Sequence, residues 1–154
     1  MKDVIIIGGG PAGIFCAAAI KEHSKEAVNV TIVERLDKIG KKILATGNGK
    51  CNYFNSDFTS VHFNTESIDI LETIISDKNK NKVMDFFNSI GIVPNIKNGY
   101  YYPNSEQAAA VNNALLYELE RLGVKVFYET TVDDIISEEN KVSVYTNKGM
   151  FHGK

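Results

Sequence analysis

Apolar residues fall along this chain in short blocks whose period changes. Residues 4–7 (VIII) form an unbroken β-branched run, as in a strand buried on both faces. Residues 14–20 are small and apolar and suit a helix, and residues 28–33 (VNVTIV) form a second strand. Helical spacing returns at 66–76 and at 79–90, where Val83, Phe86, Phe87 and Ile90 share one face. A Phe pair at that spacing reads as core rather than as an aromatic box. Residues 92–96 and 100–102 flank Asn98-Gly99, a hairpin signal, and Pro94 makes the first arm an edge. The tyrosines Tyr100, Tyr101 and Tyr102 either line a pocket or sit one inward and two on a rim. Asn104 or Ser105 caps a helix running to Leu122 and ended by Gly123, with Val111, Leu115, Leu119 and Leu122 as its buried stripe. Residues 124–128 give a third parallel strand, and 141–151 an antiparallel hairpin.

Strands alternating with helices indicate an α/β fold with a parallel βαβ core and a small antiparallel addition. The opening stretch is not a secretory signal. Asp3 puts a negative charge where a basic one belongs, and Gly8-Gly9-Gly10-Pro11 breaks the apolar run. No other run is long enough to span a bilayer.

Between strand and helix stands G-x-G-x-x-G at Gly8, Gly10 and Gly13. Gly8 permits the sharp turn out of the strand. Gly10 lets a pyrophosphate approach the backbone, and Gly13 lets the helix pack closely on the strand. The helix then starts near Pro11, with the free N–H groups beyond it, at Ala12 and Gly13, aimed at phosphates. The motif is weak alone, and its context strengthens it. A second strand follows and ends in Glu34, 21 positions after Gly13. A carboxylate there accepts hydrogen bonds from ribose hydroxyls and repels a 2′-phosphate. As a bare strand-end acid it would be a surface charge. The unit predicts a dinucleotide site, and by itself leaves FAD and NAD both open.

Composition narrows the setting. The chain has 154 residues, a length usual for one domain, and is 44% hydrophobic with a net charge of −2. That charge gives no reason to expect nucleic acid, and the basic run at 78–82 (KNKNK) reads as a solvated loop. Two cysteines, Cys16 and Cys51, without an export signal suggest a reducing cytoplasmic compartment and no disulfide. His23, His62 and His152 are isolated, so no metal site is expected.

Residues 40–52 (GKKILATGNGKCN) are not a phosphate-binding Walker loop, which would need Gly at 44 and Ser or Thr at 51 where Leu44 and Cys51 stand. Thr46-Gly47-Asn48-Gly49 is a small-residue loop that lets backbone approach something bulky, and Lys42 and Lys50 can bring charge to phosphates. Its plainer reading is an Asn-Gly turn between surface elements.

Gly8–Gly13, Glu34 and this second run together resemble the HI0933-like flavoproteins, a branch of the two-dinucleotide-binding-domain FAD proteins. The G-[RK]-K start, the [TS]-G-x-G loop and the [RK]-C-N end all match. Residues 99–104 before an Ala-rich helix, and Thr130-Thr131-Val132 where backbone meets adenine in the family, agree with it. The resemblance covers essentially the whole chain. It implies FAD as cofactor, NAD(P)H as a candidate electron donor, and an oxidoreductase acting on a small molecule. Gly8, Gly10, Pro11, Ala12 and Gly13 would hold the pyrophosphate, and Glu34 the ribose with Arg35 beside it. Lys42, Thr46, Gly47, Asn48, Gly49, Cys51 and Asn52 would face the pyrophosphate or flavin, and Val132 the adenine. Residues 1–154 would be the N-terminal part of one FAD domain, its remainder and an inserted second domain absent, with an exposed sheet edge that invites self-association. No catalytic acid or base is assigned, and Cys51 reads as structural rather than redox-active. Two other readings stand: an NAD-dependent dehydrogenase domain, and an incomplete, non-catalytic dinucleotide-binding module.

Overall fold

The computed structural model describes residues 2–153. The backbone divides into two units, one of residues 1–44 and 115–154, the other of residues 45–114.

The first unit opens with strand β1 (Lys2–Ile7), helix α1 (Pro11–His23) and strand β2 (Val28–Val33). β1 and β2 pair in parallel, Lys2 opposite Val28 through Ile7 opposite Val33. α1 buries Ile14, Ala17 and Ala18, an i, i+3, i+4 stripe of small volume that brings the helix close to the sheet. Pro11 occupies the first helical turn, and Gly10 is the N-cap with no side chain to cap. β2 is the central strand, and Val30, Ile32 and Val33 are fully buried. β1 departs from the expectation of burial on both faces. Its residues are half-buried at best, and Ile7 is 50% exposed. Among the described residues β1 pairs only with β2, and β9 approaches it without strand pairing, a Cβ on Gly153 falling 3.2 Å from Asp3 O.

After β2 the chain enters the short helix α2 (Lys41–Ala45), where the second unit begins. That unit carries strand β3 (Phe54–Asn55), helix α3 (Ile68–Ile74), helix α4 (Asp77–Ser89) and strands β4 (Pro94–Lys97) and β5 (Tyr100–Pro103). The sheet order is β3-β5-β4, which makes β4 the edge expected from Pro94. Asn98 (φ 51°) and Gly99 (φ 82°) form the two-residue loop with both residues left-handed, and Lys97 pairs with Tyr100 across it. Tyr101 and Tyr102 are half-buried, and Tyr100 is exposed.

Three expectations need correcting here. Residues 78–82 are not a loop but lie within α4, which starts at Asp77. Lysine is a good helix former, and Asn79 Nδ2 bonds the last carbonyls of α3, Thr73 O at 3.0 Å and Ile74 O at 3.2 Å, so the two helices abut. On α4 Phe87 is the buried residue, while Val83 is exposed. The third concerns helix α5 (Ala108–Arg121), which begins later than Asn104 or Ser105. Glu106 is left-handed (φ 51°), and a helix cannot run through it.

α5 crosses from one unit into the other, burying Ala108, Val111, Leu115 and Leu119, with Leu122 only half-buried. Gly123 (φ 67°) ends it, and Val124 N bonds Leu119 O at 2.9 Å. Strand β6 (Lys125–Phe127) then pairs in parallel with β2, giving the order β1-β2-β6. Strands β7 (Val132–Glu138), β8 (Lys141–Thr146) and β9 (Gly149–Gly153) form an antiparallel sheet, one strand more than the hairpin expected. Phe127 and Phe151, with centroids 4.9 Å apart, tie β6 to β9. No helix among the described residues is long and apolar enough to cross a membrane.

Leu115 is 1% exposed, so Leu115→Ala should lower the unfolding free energy in urea by about 2–5 kcal/mol. A loss below about 1 kcal/mol would show that α5 is not core.

Candidate functional site

The turn between β1 and α1 is the most constrained backbone in the first unit. Gly8 has φ +100° and its N–H bonds Val33 O at 2.8 Å, so the chain leaves the sheet at once. A Cβ on Gly13 would lie 2.0 Å from Gly8 O, so the helix approaches the turn as only glycine permits. A Cβ on Gly10 would meet nothing within 4 Å. Gly10 therefore borders open space, and the N–H groups of Ala12 and Gly13 have no partner within their own helix.

Glu34 stands opposite. It is 9% exposed, and each carboxylate oxygen takes a backbone N–H: Gly9 N to Oε2 at 2.7 Å and Leu36 N to Oε1 at 2.9 Å. Each oxygen keeps a lone pair for a further donor. The Glu34 backbone is fixed as well, its N–H to Phe127 O at 2.9 Å and its carbonyl to Thr130 N at 2.8 Å.

Between these walls lies a cleft of about 380 Å³, within the usual range of a small-ligand site. The expected residues Gly8, Gly10, Pro11, Ala12, Gly13, Glu34, Arg35 and Lys42 all line it. Lys38 and Lys41 also line it, and Lys41 pairs with Asp37 at 2.5 Å. The cleft thus has a helix N-terminus and cations for phosphate, and a carboxylate for hydroxyls. Val132 is not among the lining residues. It starts β7, beside Thr131, whose N–H bonds Asn147 Oδ1 at 2.8 Å.

Gly9, unassigned in the sequence reading, proves the tightest position. A Cβ there would be 2.0 Å from Ile39 Cγ2 and 3.4 Å from Glu34 Oε2. Its carbonyl accepts Gly40 N at 2.7 Å. The three successive glycines were the one available signal.

The candidates Thr46, Gly47, Asn48, Gly49, Cys51 and Asn52 belong to the second unit. Four of them are left-handed: Gly47 (φ 56°), Asn48 (φ 53°), Gly49 (φ 80°) and Cys51 (φ 59°). Gly47 is required, since its Cβ would sit 2.7 Å from Asn52 N. Cys51 N bonds Thr46 O at 3.1 Å, closing the loop. Burial pushes the Cys51 thiol up, against a smaller opposing effect of its hydrogen bond with Thr46. It is therefore a protonated thiol at neutral pH, not a reactive thiolate. With its nitrogen turned inward, the Asn52 amide donates to Phe54 O at 2.8 Å and Tyr101 O at 3.2 Å. Lys50 pairs with Glu106 at 2.8 Å, and Lys97 pairs with the same carboxylate, holding it down at about 2.

Comparison with known proteins agrees with this geometry. The family model described as HI0933-like protein Rossmann domain matches residues 2–153. The 3-dehydro-bile acid delta(4,6)-reductase of Clostridium scindens is 37% identical over 133 residues, which are 86% of this chain and 32% of that one. The ribosomal RNA dihydrouridine synthase of Haemophilus influenzae is 28% identical over 143 residues, 93% of this chain and 35% of that one. The chain thus spans about a third of the length of these curated relatives. Among solved structures, THI4 of Thermovibrio ammonificans superposes with a TM-score of 0.62 at 16% identity, over 99% of this chain and 54% of that one. A 3-ketosteroid-delta4-(5alpha)-dehydrogenase of Rhodococcus jostii gives 0.64 at 12% identity, over 98% and 43%. At such identities these two speak for the fold alone.

The packing of Gly9 against Ile39 gives a test. Gly9→Ala should cost about 1–3 kcal/mol in stability, and Ile39→Ala in the same chain should restore part of it. Strict additivity in that double-mutant cycle would contradict the contact.

Proposed function

Because the chain belongs to the HI0933-like Rossmann-domain family, we propose that it is the cofactor-binding part of an FAD-dependent oxidoreductase. The observation that carries this is the cleft itself: an open Gly10, free N–H groups at the start of α1, and a buried Glu34 with acceptor capacity to spare. The residues fit the adenosine diphosphate half of FAD. Backbone N–H groups of Ala12 and Gly13 bind the diphosphate, aided by Lys38 and Lys42. Glu34, with Arg35 beside it, accepts the ribose hydroxyls and disfavours a 2′-phosphate. The bound flavin would supply reversible hydride or electron transfer. Val132 by its backbone, and Thr46, Gly47, Asn48, Gly49, Cys51 and Asn52, are further contacts drawn from the family resemblance, with Cys51 a packing residue.

Substrate and electron donor belong to the whole protein, and a nicotinamide donor is compatible with this reading. Both curated relatives carry reductase or synthase names for a defined substrate, a bile acid in one and ribosomal RNA in the other. A net charge of −2 therefore does not set RNA aside as a substrate. The two free thiols, Cys16 and Cys51, support a cytoplasmic setting. The unpaired edge of β1 supports self-association by strand pairing, which a concentration-independent monomer in sedimentation would refute.

Calorimetric titration tests the cofactor. FAD should bind saturably, and Glu34→Gln should weaken it about ten- to hundredfold, since one acceptor oxygen becomes a donor. Gly10→Val is the cleaner variant, because its side chain enters open space, and it should abolish binding while leaving the melting temperature nearly unchanged. Binding of NADH without FAD would turn the reading to a dehydrogenase domain. Silence with both would remove the cofactor from this chain.

A further inference from the structure

The second unit contains a cavity of about 420 Å³, none of whose lining residues lies in the glycine cleft. Three aromatic residues line it, Phe58, Phe63 and Tyr100, together with Asp57 and His62. Phe58 and Phe63 have centroids 5.4 Å apart and planes at 79°, a corner rather than a stack. The polar groups are organised. His62 Nε2 lies 2.8 Å from Asp57 Oδ2, Thr59 Oγ1 donates to Asp57 Oδ1 at 3.2 Å, and Asp57 N donates to Asn55 Oδ1 at 2.9 Å.

The charge balance decides what suits this space. No Lys or Arg lines the cavity, and Asp57 is its one carboxylate. The hydrogen bond from His62, then that from Thr59, hold the Asp57 carboxyl below its ordinary range, with a weaker pull from Lys80 on α4. It is ionised at neutral pH. Aromatic faces present negative potential and attract cations. An anion meets repulsion from the carboxylate and from any ring face it approaches. A neutral heterocycle can bond the amides of Asn55 and Asn98 but gains nothing from the carboxylate charge. A cation is attracted by both the carboxylate and the rings.

We propose that this cavity binds an organic ammonium or amidinium group on a small apolar body, with Asp57 as counter-ion and Phe58, Phe63 and Tyr100 as aromatic walls. His62, 2.8 Å from Asp57 Oδ2, fixes the direction in which the carboxylate faces the space. The groups that bear on the charge balance are Asp57 and His62 from the 55–63 segment, Tyr100 from β5 and Lys80 from α4.

The test is an amide-resolved NMR titration of the 154-residue chain with benzylammonium, against benzyl alcohol and benzoate of the same size. Benzylammonium should shift residues 55–63 and 98–100 saturably, with a dissociation constant on the order of millimolar, and benzyl alcohol should bind at least about tenfold more weakly. Benzoate should not bind. Asp57→Asn should weaken benzylammonium about tenfold or more, with spectra elsewhere unchanged. Equal binding of benzyl alcohol, an unaffected Asp57→Asn variant, or no saturable shifts would each overturn the proposal. Should Asp57→Asn not fold, the contrast between the three probes still decides it.

Discussion

The first unit depends on one buried contact, the hydrogen bond from Gly9 N to the Glu34 carboxylate at 2.7 Å. It spans 25 positions of sequence and joins the turn after β1 to the end of β2. A buried N–H left without a partner costs about 1–3 kcal/mol, and more when the lost partner is a charge. Glu34 thus fixes the shape of the glycine turn within the protein itself. Leu36 N, on the other oxygen, fixes the direction in which the chain leaves β2. The same side chain holds the turn and can still accept a further donor, because a carboxylate has more lone pairs than the protein uses.

That doubling explains what was legible in the sequence. The order strand, glycine turn, helix, strand, acid could be read because each step follows from local chemistry: β-branched residues, positive φ, Pro at a helix start. Asn98-Gly99 and Gly123 were readable for the same reason, since both hold backbone that other residues adopt at a cost. Gly9 was not readable. Its constraint is Ile39, thirty positions on, and distance in sequence hides contact. The exposure of β1 was hidden too, because a β-branched run looks the same in a central strand and in one paired on a single side. Residues 78–82 misled through composition, since lysine and asparagine read as loop while an Asn amide bonding the preceding helix fixed a helical start. The left-handed Glu106 that delays α5 had no signal at all. It is held by Lys50 and Lys97, far apart in sequence.

The two motifs owe their specificity to different physics. In the β1–α1 turn glycines serve close packing, and only Gly8 among them is left-handed. In the 46–52 segment the need is mainly conformational: four of seven residues are left-handed, two of them not glycine. Such backbone costs of order 1–3 kcal/mol per non-glycine residue and persists only where neighbours fix it. Here the fixing groups are the Cys51 N to Thr46 O bond, the Asn52 amide and the Lys50–Glu106 pair. A loop that rigid suits presentation of backbone to a large planar or charged group better than it suits a moving gate. The burial of the Cys51 thiol agrees with a role in packing, because thiol exchange needs a thiolate with access to its partner.

The cleft combines charges of both signs. Its lining holds the α1 N-terminus, Lys38, Lys42 and Arg35, and with them the Glu34 carboxylate. Lys41 is partly neutralised by Asp37, so the positive side of the balance rests on the remaining cations and the helix. A simple anion would be attracted by one set of groups and repelled by the carboxylate. A ligand carrying both an anionic group and hydroxyl donors satisfies both sets at once, and the mixed lining favours such a ligand over one of a single polarity.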